Sequence, residues 1–142
     1  MAVKTAPDCV FCKIVAGAIP CFKLAEDETT LVFLDINPAN PGHTLVVTKN
    51  HAATLTASAD EDLARVLPMA RRVAAAIERV LRPDGINLLQ ANGPGAAQSV
   101  PHFHLHVMPR RTGDELKLNW ELRPGDKAQL AAIAEKLRAA LG

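Results

Sequence analysis

Hydrophobic and polar positions recur along this 142-residue chain with two different periods, and each period marks out its own elements. Residues 29–35 and 43–48 are short runs rich in β-branched and aromatic side chains, which predicts two strands. Between them Asn37-Pro38-Ala39-Asn40-Pro41-Gly42 has the composition of a turn. Ser58-Ala59-Asp60-Glu61 has the form of a capping box and predicts a long helix to about Leu81. Leu63, Val66, Leu67, Ala70, Val73 and Ile77 form its apolar stripe. Pro68 inside that stripe predicts a kink or a split into two helices. Pro83-Asp84-Gly85 turns the chain into a third strand at 86–89. A small-residue loop, 92–99, then leads to a run of strict alternation at 102–108. Residues 8–17 read as a short helix ended by Gly17 and Pro20. A last helix, from about Asp126 to Leu141, carries Leu130, Ile133, Leu137 and Leu141 on one stripe. Short turns between most strands favour an antiparallel sheet of the α+β class, in a single domain over 1–142.

The alternating run is His102-Phe103-His104-Leu105-His106-Val107-Met108, and it holds three of the chain's five histidines. On a strand the three imidazoles share one face while Phe103, Leu105 and Val107 share the other. On a helix they would fan out around the axis. His43 and His51 flank the strand at 43–48, so the histidines gather in one region of one sheet. Imidazole serves as base, nucleophile or metal ligand.

Composition narrows the classes. Hydrophobic residues make up 49% and charged residues 22%, with a net charge of +1, so no strongly basic surface points to nucleic acid or to a membrane. No run is long and apolar enough to span a bilayer and no signal peptide is recognisable, so a cytoplasmic location is expected. Three cysteines cannot all pair. Cys9 and Cys12 have the C-x-x-C spacing of half a metal site or a redox pair, and Cys21 reads as a small hydrophobe.

The loop ahead of the histidines carries Gly93 and Gly95, which let backbone N–H groups approach an anion, and Gln98 and Ser99 add neutral donors. Beside in-phase histidines this suits phosphoryl chemistry, with imidazole attacking phosphorus and N–H donors holding the charge. Other uses of His-x-His fit less well. A cupin-type site expects a Glu a few residues on, where Pro109-Arg110-Arg111 stands. Barrel metallohydrolases need about 250 residues. A tri-histidine zinc needs a third ligand from another strand.

His-Phe-His-Leu-His-Val-Met resembles the His-φ-His-φ-His-φ-φ signature of the histidine triad (HIT) superfamily. Further matches are Cys9-Val10-Phe11-Cys12-Lys13-Ile14-Val15 with Ile19-Pro20, Phe33-Leu34-Asp35-Ile36-Asn37-Pro38, Gly42-His43-Thr44-Leu45-Val46-Val47, and Gln98-Ser99-Val100. They cover about residues 8–112 and look like the Hint-like and bacterial branches. Ala97 stands where many relatives have glycine, and Met108 to Asp114 is similar to the Fhit and bacterial branches.

The resemblance implies a five-stranded antiparallel sheet with two main helices, in a homodimer. It implies a nucleotidyl hydrolase or transferase acting at an α-phosphate. His104 would be the nucleophile and form a nucleotidyl-histidine. His106 would hold phosphate oxygens, His102 would help orient His104 through its backbone carbonyl, and His43 would join the cluster. Asn92, Gln98 and Ser99 would contact phosphate and leaving group, and Asp35 the ribose hydroxyls. Val10, Phe11, Ile14, Phe33 and Ile36 would enclose a purine base. The substrate is then a nucleoside phosphoramidate, with a dinucleoside polyphosphate as the alternative and a nucleotide-binding regulatory module as a further one. Some bacterial relatives pair an N-terminal C-x-x-C with two histidines around structural zinc, which implies Cys9, Cys12, His51 and His102 as ligands here. A catalytic metal is not required, since the nucleophile is itself a histidine.

Overall fold

The computed structural model describes residues 2–142. Five strands form one antiparallel sheet: β1 (Lys23–Glu26), β2 (Thr30–Leu34), β3 (Thr44–Thr48), β4 (Gly85–Leu89) and β5 (His104–Arg110), in the order β1-β2-β3-β5-β4. Among the described residues four α-helices accompany them, α1 (Val10–Val15), α2 (Asp60–Leu63), α3 (Val66–Leu81) and α4 (Lys127–Leu141), with one 3₁₀ turn at Pro94–Ala96. This is the expected α+β sheet.

The two faces of the sheet bury different things. On one face, Val32, Val46, Leu105 and Val107 meet Val66, Met69, Ala70, Val73 and Ile77 of α3, with Phe103 beside them. On the other, Leu31, Phe33, Leu45 and Val47 meet Phe11 and the two cysteines of the α1 region, Cys9 and Cys12. The period-two pattern of β2, β3 and β5 sends alternate residues to each face. Leu45 pairs with His106 and Val47 with His104 across β3 and β5, which puts both imidazoles on the α1 side.

Several expectations need correction. β1 is a strand that periodicity does not announce: it is four residues long, lies at the sheet edge, is mostly exposed, and shifts register between Lys23 and Ala25. Ser58 does not cap the long helix, because its hydroxyl donates to the Thr54 carbonyl at 2.8 Å. The N-cap is Ala59, with no side-chain bond. The helix splits at Ala64–Arg65, where Pro68 has no N–H to offer the Ala64 carbonyl. Leu67, assigned to the apolar stripe, is 61% exposed, and Met69 takes the buried place. Asp126 caps α4 by accepting from Gln129 N at 2.9 Å, but Leu130, Ile133, Leu137 and Leu141 are all exposed and no α4 residue is buried.

Gly42 lies at φ +91°, between the 37–42 turn and β3. A Cβ there would run into the Leu81 side chain and crowd Pro109, so only glycine lets this turn lie flat beneath the end of α3.

Candidate active site

His102 stands just ahead of β5 rather than within it, yet its side chain keeps the expected phase and is fully buried. Its backbone and its ring do separate things. The carbonyl accepts from His104 Nδ1 at 2.7 Å. A carbonyl can only accept, so His104 carries its proton on Nδ1 and the neutral ring keeps a lone pair on Nε2. Burial pushes the His104 imidazole below its usual range, against the pull of the His102 carbonyl and of Asp35.

His106 and His43 form a second unit. His43 Nε2 lies 2.8 Å from His106 Nδ1, and His43 Nδ1 accepts from the Ala39 N–H at 3.1 Å. The Ala39 donor demands a lone pair on Nδ1, so the neutral His43 ring bears its proton on Nε2 and donates it to His106. His106 is thereby left with its proton on Nε2. Burial, with His104 and His43 adding to it, pushes His106 down to about 4. Asp35 Oδ2 lies 3.5 Å from His43 Nε2, while Asp35 Oδ1 accepts from Asn37 N at 2.8 Å. Asp35, His43 and His106 are close enough together to suggest a cation site. The proton on His43 Nε2 argues against one, since a ligating imidazole donates its other N–H rather than accepting there.

These groups border a cavity of about 780 Å³. His104, His106 and Ser99 lie along it, and so do Asp35, Val10, Phe11, Ile14, Phe33 and Ile36. Phe11 stands edge-on to His104, with ring centroids 5.1 Å apart, and edge-on to Phe33 at 5.6 Å. Ile36 lines it from the rim and is 79% exposed.

Two expected contacts lie elsewhere. Asn92 Oδ1 accepts from Leu55 N at 2.7 Å and its amide pairs with Gln90, so the side chain ties loop to loop. Gln98 Oε1 accepts from Gly93 N at 2.8 Å, and Nε2 donates to the Ala53 and Val100 carbonyls. Both amides brace the 92–99 loop, and neither borders the cavity. Ile19, Phe22, Leu45 and Val100, to which the sequence assigns no contact with a ligand, also line the cavity. Their apolar character gives no signal that separates a cavity wall from a core.

The fifth histidine joins the cysteines. Cys9 Sγ, Cys12 Sγ, His51 Nδ1 and His102 Nδ1 all lie within 4.8 Å of one another. His102 Nδ1 is 3.3 Å from Cys9 Sγ, 3.5 Å from Cys12 Sγ and 3.2 Å from His51 Nδ1, and Cys12 Sγ is 3.4 Å from His51 Nδ1. Tetrahedral zinc with ordinary Zn–S and Zn–N bonds spaces such atoms by about 3.3–3.8 Å. His102 Nε2 donates to the Thr48 carbonyl at 2.6 Å, which leaves Nδ1 as a lone pair aimed into the cluster. That is the outer hydrogen bond a zinc-bound histidine makes. The donor set therefore fits zinc.

The HIT domain family model matches residues 16–113. The chain is 42% identical over 130 residues to adenosine 5'-monophosphoramidase hnt1 of Schizosaccharomyces pombe, covering 91% of this chain and 95% of that one. It superposes on a HIT family protein from Bacillus anthracis with a TM-score of 0.89, at 38% identity, covering 96% of this chain and 99% of that one. A zinc-bound histidine triad family protein from Mycobacterium smegmatis gives a TM-score of 0.73 at 40% identity, covering 94% of this chain and 97% of that one. With a family match over most of its length and a triad set in the matching sheet, the chain belongs to the HIT family.

Proposed function

We propose that the protein is a nucleotidyl hydrolase or transferase that cleaves purine nucleoside phosphoramidates at the α-phosphate through a His104-bound intermediate. The observation that carries this reading is the 2.7 Å bond from His104 Nδ1 to the His102 carbonyl, which leaves Nε2 as a free nucleophile beside the cavity. Burial keeps the ring neutral at neutral pH, so the lone pair is available. Nε2 attacks the α-phosphorus, the bond to the leaving nitrogen breaks, and the amine departs after taking up a proton. The nucleotidyl-imidazolium retains its Nδ1–H, whose positive charge the His102 carbonyl stabilises. Water then attacks phosphorus, the histidine–phosphorus bond breaks, and a nucleoside monophosphate leaves. His106 Nε2–H is the donor to the phosphate oxygens. Ser99, exposed at the cavity edge, faces the leaving group. Asp35 holds the ribose and the apolar wall holds the base, a purine in keeping with the adenosine phosphoramidase relative.

A structural zinc on Cys9, Cys12, His51 and His102 belongs to the same reading, supported by the donor geometry and the zinc-bound relative. It supplies a cross-link rather than a step in the chemistry. A homodimer is supported by β4, which ends the sheet with Leu88 and Leu89 exposed and has an open edge for a second copy. A cytoplasmic location is supported by three free thiols, and among the described residues no helix is long and apolar enough to cross a membrane.

Rapid acid quench of the protein with an adenosine phosphoramidate, read by intact mass, tests the mechanism. A nucleotidyl adduct on His104, absent in His104→Gly, is expected. Unimpaired turnover by His104→Gly, or an adduct on another residue, refutes it.

A further inference from the structure

The 37–42 turn supplies the Ala39 N–H that decides where His43 carries its proton, and the turn is itself held by a network outside the cavity. Asn40 Nδ2 donates to the Pro109 carbonyl and to Asp114 Oδ2, each at 2.9 Å. Asp114 is paired bidentately by Arg110, with Nε at 2.8 Å and a terminal nitrogen at 2.7 Å, and it also accepts from Arg111 N at 3.0 Å. Arg110 reaches on to Asn87 Oδ1 and the Leu116 carbonyl. The Asp114 side chain is 8% exposed and that of Arg110 22%, so this ion pair is partly shielded from water on the carboxylate side. On the other side of the turn, His43 N donates to the Asn40 carbonyl and Asp35 N to the His43 carbonyl. Asn40 thus joins the end of β5 and the 111–114 turn to the loop that holds the His43 ring.

We propose that Asn40, Asp114 and Arg110 are positioning residues: they clamp the Ala39 N–H against His43 Nδ1 and so fix the tautomers of His43 and, through it, His106. The logic is a chain of forced donors. Ala39 N–H can only donate, so His43 Nδ1 must accept and Nε2 must carry the proton. His43 Nε2–H then donates across 2.8 Å to His106 Nδ1, and His106 presents Nε2–H to the cavity. If the turn swings away, His43 is free to protonate Nδ1. His106 then loses its donor, its proton moves to Nδ1, and a lone pair replaces the N–H aimed at phosphate. The importance of this for turnover rests on the function proposed above, while the tautomers themselves do not.

The test is long-range ¹H–¹⁵N NMR on histidine-labelled, full-length protein, at a pH well above the ordinary imidazole range. In the unsubstituted protein His43 and His106 are both expected to show the Nε2–H pattern. In Asn40→Ala and in Asp114→Asn, each checked for folding by circular dichroism, both rings shift toward Nδ1–H or a mixture. Turnover of an adenosine phosphoramidate falls in kcat by about tenfold, the usual scale of a misplaced catalytic contact, with KM within about twofold. Arg111→Ala is the control. Its guanidinium binds the Leu81 and Arg82 carbonyls at the end of α3, so it should lower the melting temperature and leave the tautomers alone. Tautomers that stay unchanged in the folded clamp variants, or a His43 protonated at Nδ1 in the unsubstituted protein, overturn the proposal. So does an unchanged kcat when the tautomers do shift. Clamp-dependent tautomers in a protein without turnover would instead sink the proposed function and leave the clamp standing.

Discussion

His102→Ala separates what the triad's first histidine does with its ring from what it does with its backbone. The ring is fully buried, donates to the Thr48 carbonyl at 2.6 Å, and stands edge-on to Phe11 at 5.8 Å. Removing it orphans a buried carbonyl, at a cost of about 1–3 kcal/mol. It also leaves a void of most of an imidazole, and with the orphaned carbonyl the loss is about 3–5 kcal/mol before the loss of one of the four proposed zinc ligands is added. For a chain of this size that lowers the melting temperature by at least about 10–15 °C, which a typical domain survives at low temperature. The bond to His104 comes from the carbonyl of residue 102, which alanine retains. Activity per folded molecule should therefore fall by no more than about tenfold. Thermal melts and active-site-titrated kinetics in the cold read the two effects separately. A variant that melts like the unsubstituted protein but loses activity by orders of magnitude would show that the ring takes part in the chemistry, and would refute this division.

Asp35→Ala should weaken nucleoside monophosphate binding by about 1–3 kcal/mol, and 2′,3′-dideoxy analogues should show no further loss, both by titration calorimetry. Equal affinity of the unsubstituted protein for the dideoxy analogue would move the ribose elsewhere. Metal analysis of protein purified without chelators should give one zinc per chain, and Cys9→Ser or chelation should lower the melting temperature more than the activity of the surviving folded molecules. Zinc far below one per chain, with stability unchanged in Cys9→Ser, would make both cysteines plain packing residues. Burial pushes His106 from 6.5 to about 4, so the unfolded chain takes up that proton at a higher pH than the folded one. Stability contributed by the neutral ring is then full above about 6.5 and is lost as pH falls toward about 4, by up to about 3 kcal/mol. His106→Asn should flatten this part of the melting-temperature profile, and an equally steep profile in that variant would assign the loss to other groups.

The central strands and the histidine face were legible because one period served two purposes: Phe103, Leu105 and Val107 had to face a core, and that fixed the phase of His102, His104 and His106. β1 was not legible, since an exposed edge strand needs no apolar alternation. The exposure of Leu67 was missed because it stands at the rim of the stripe, about 100° of helix turn from the centre of the buried set Val66, Met69, Ala70, Val73 and Ile77. At the site, residue types showed which side chains could act but not which atoms were already engaged. Gln98 and Asn92 look like phosphate donors in sequence and are used up within their loop and on the neighbouring Ala53 and Leu55. The Ala39 N–H and the Thr48 and His102 carbonyls, which set three imidazole tautomers, belong to the backbone and leave no trace in residue identity.

α1 is only six residues long, and a helix of that length has almost no stability by itself. Its inner side carries Cys12, Cys9 caps its N-terminus, and Val10, Phe11 and Ile14 face the cavity. The wall that would meet a nucleoside is therefore tethered by the same few residues that meet His51 and His102. Two ligands that each favour the ordered form of one segment are coupled in free energy even when they share no atom. An ion held by the thiols would lower the entropic penalty of nucleotide binding, and nucleotide would tighten the ion by the same factor. Through the small helix, occupancy of the cavity would then report on the state of the cysteines.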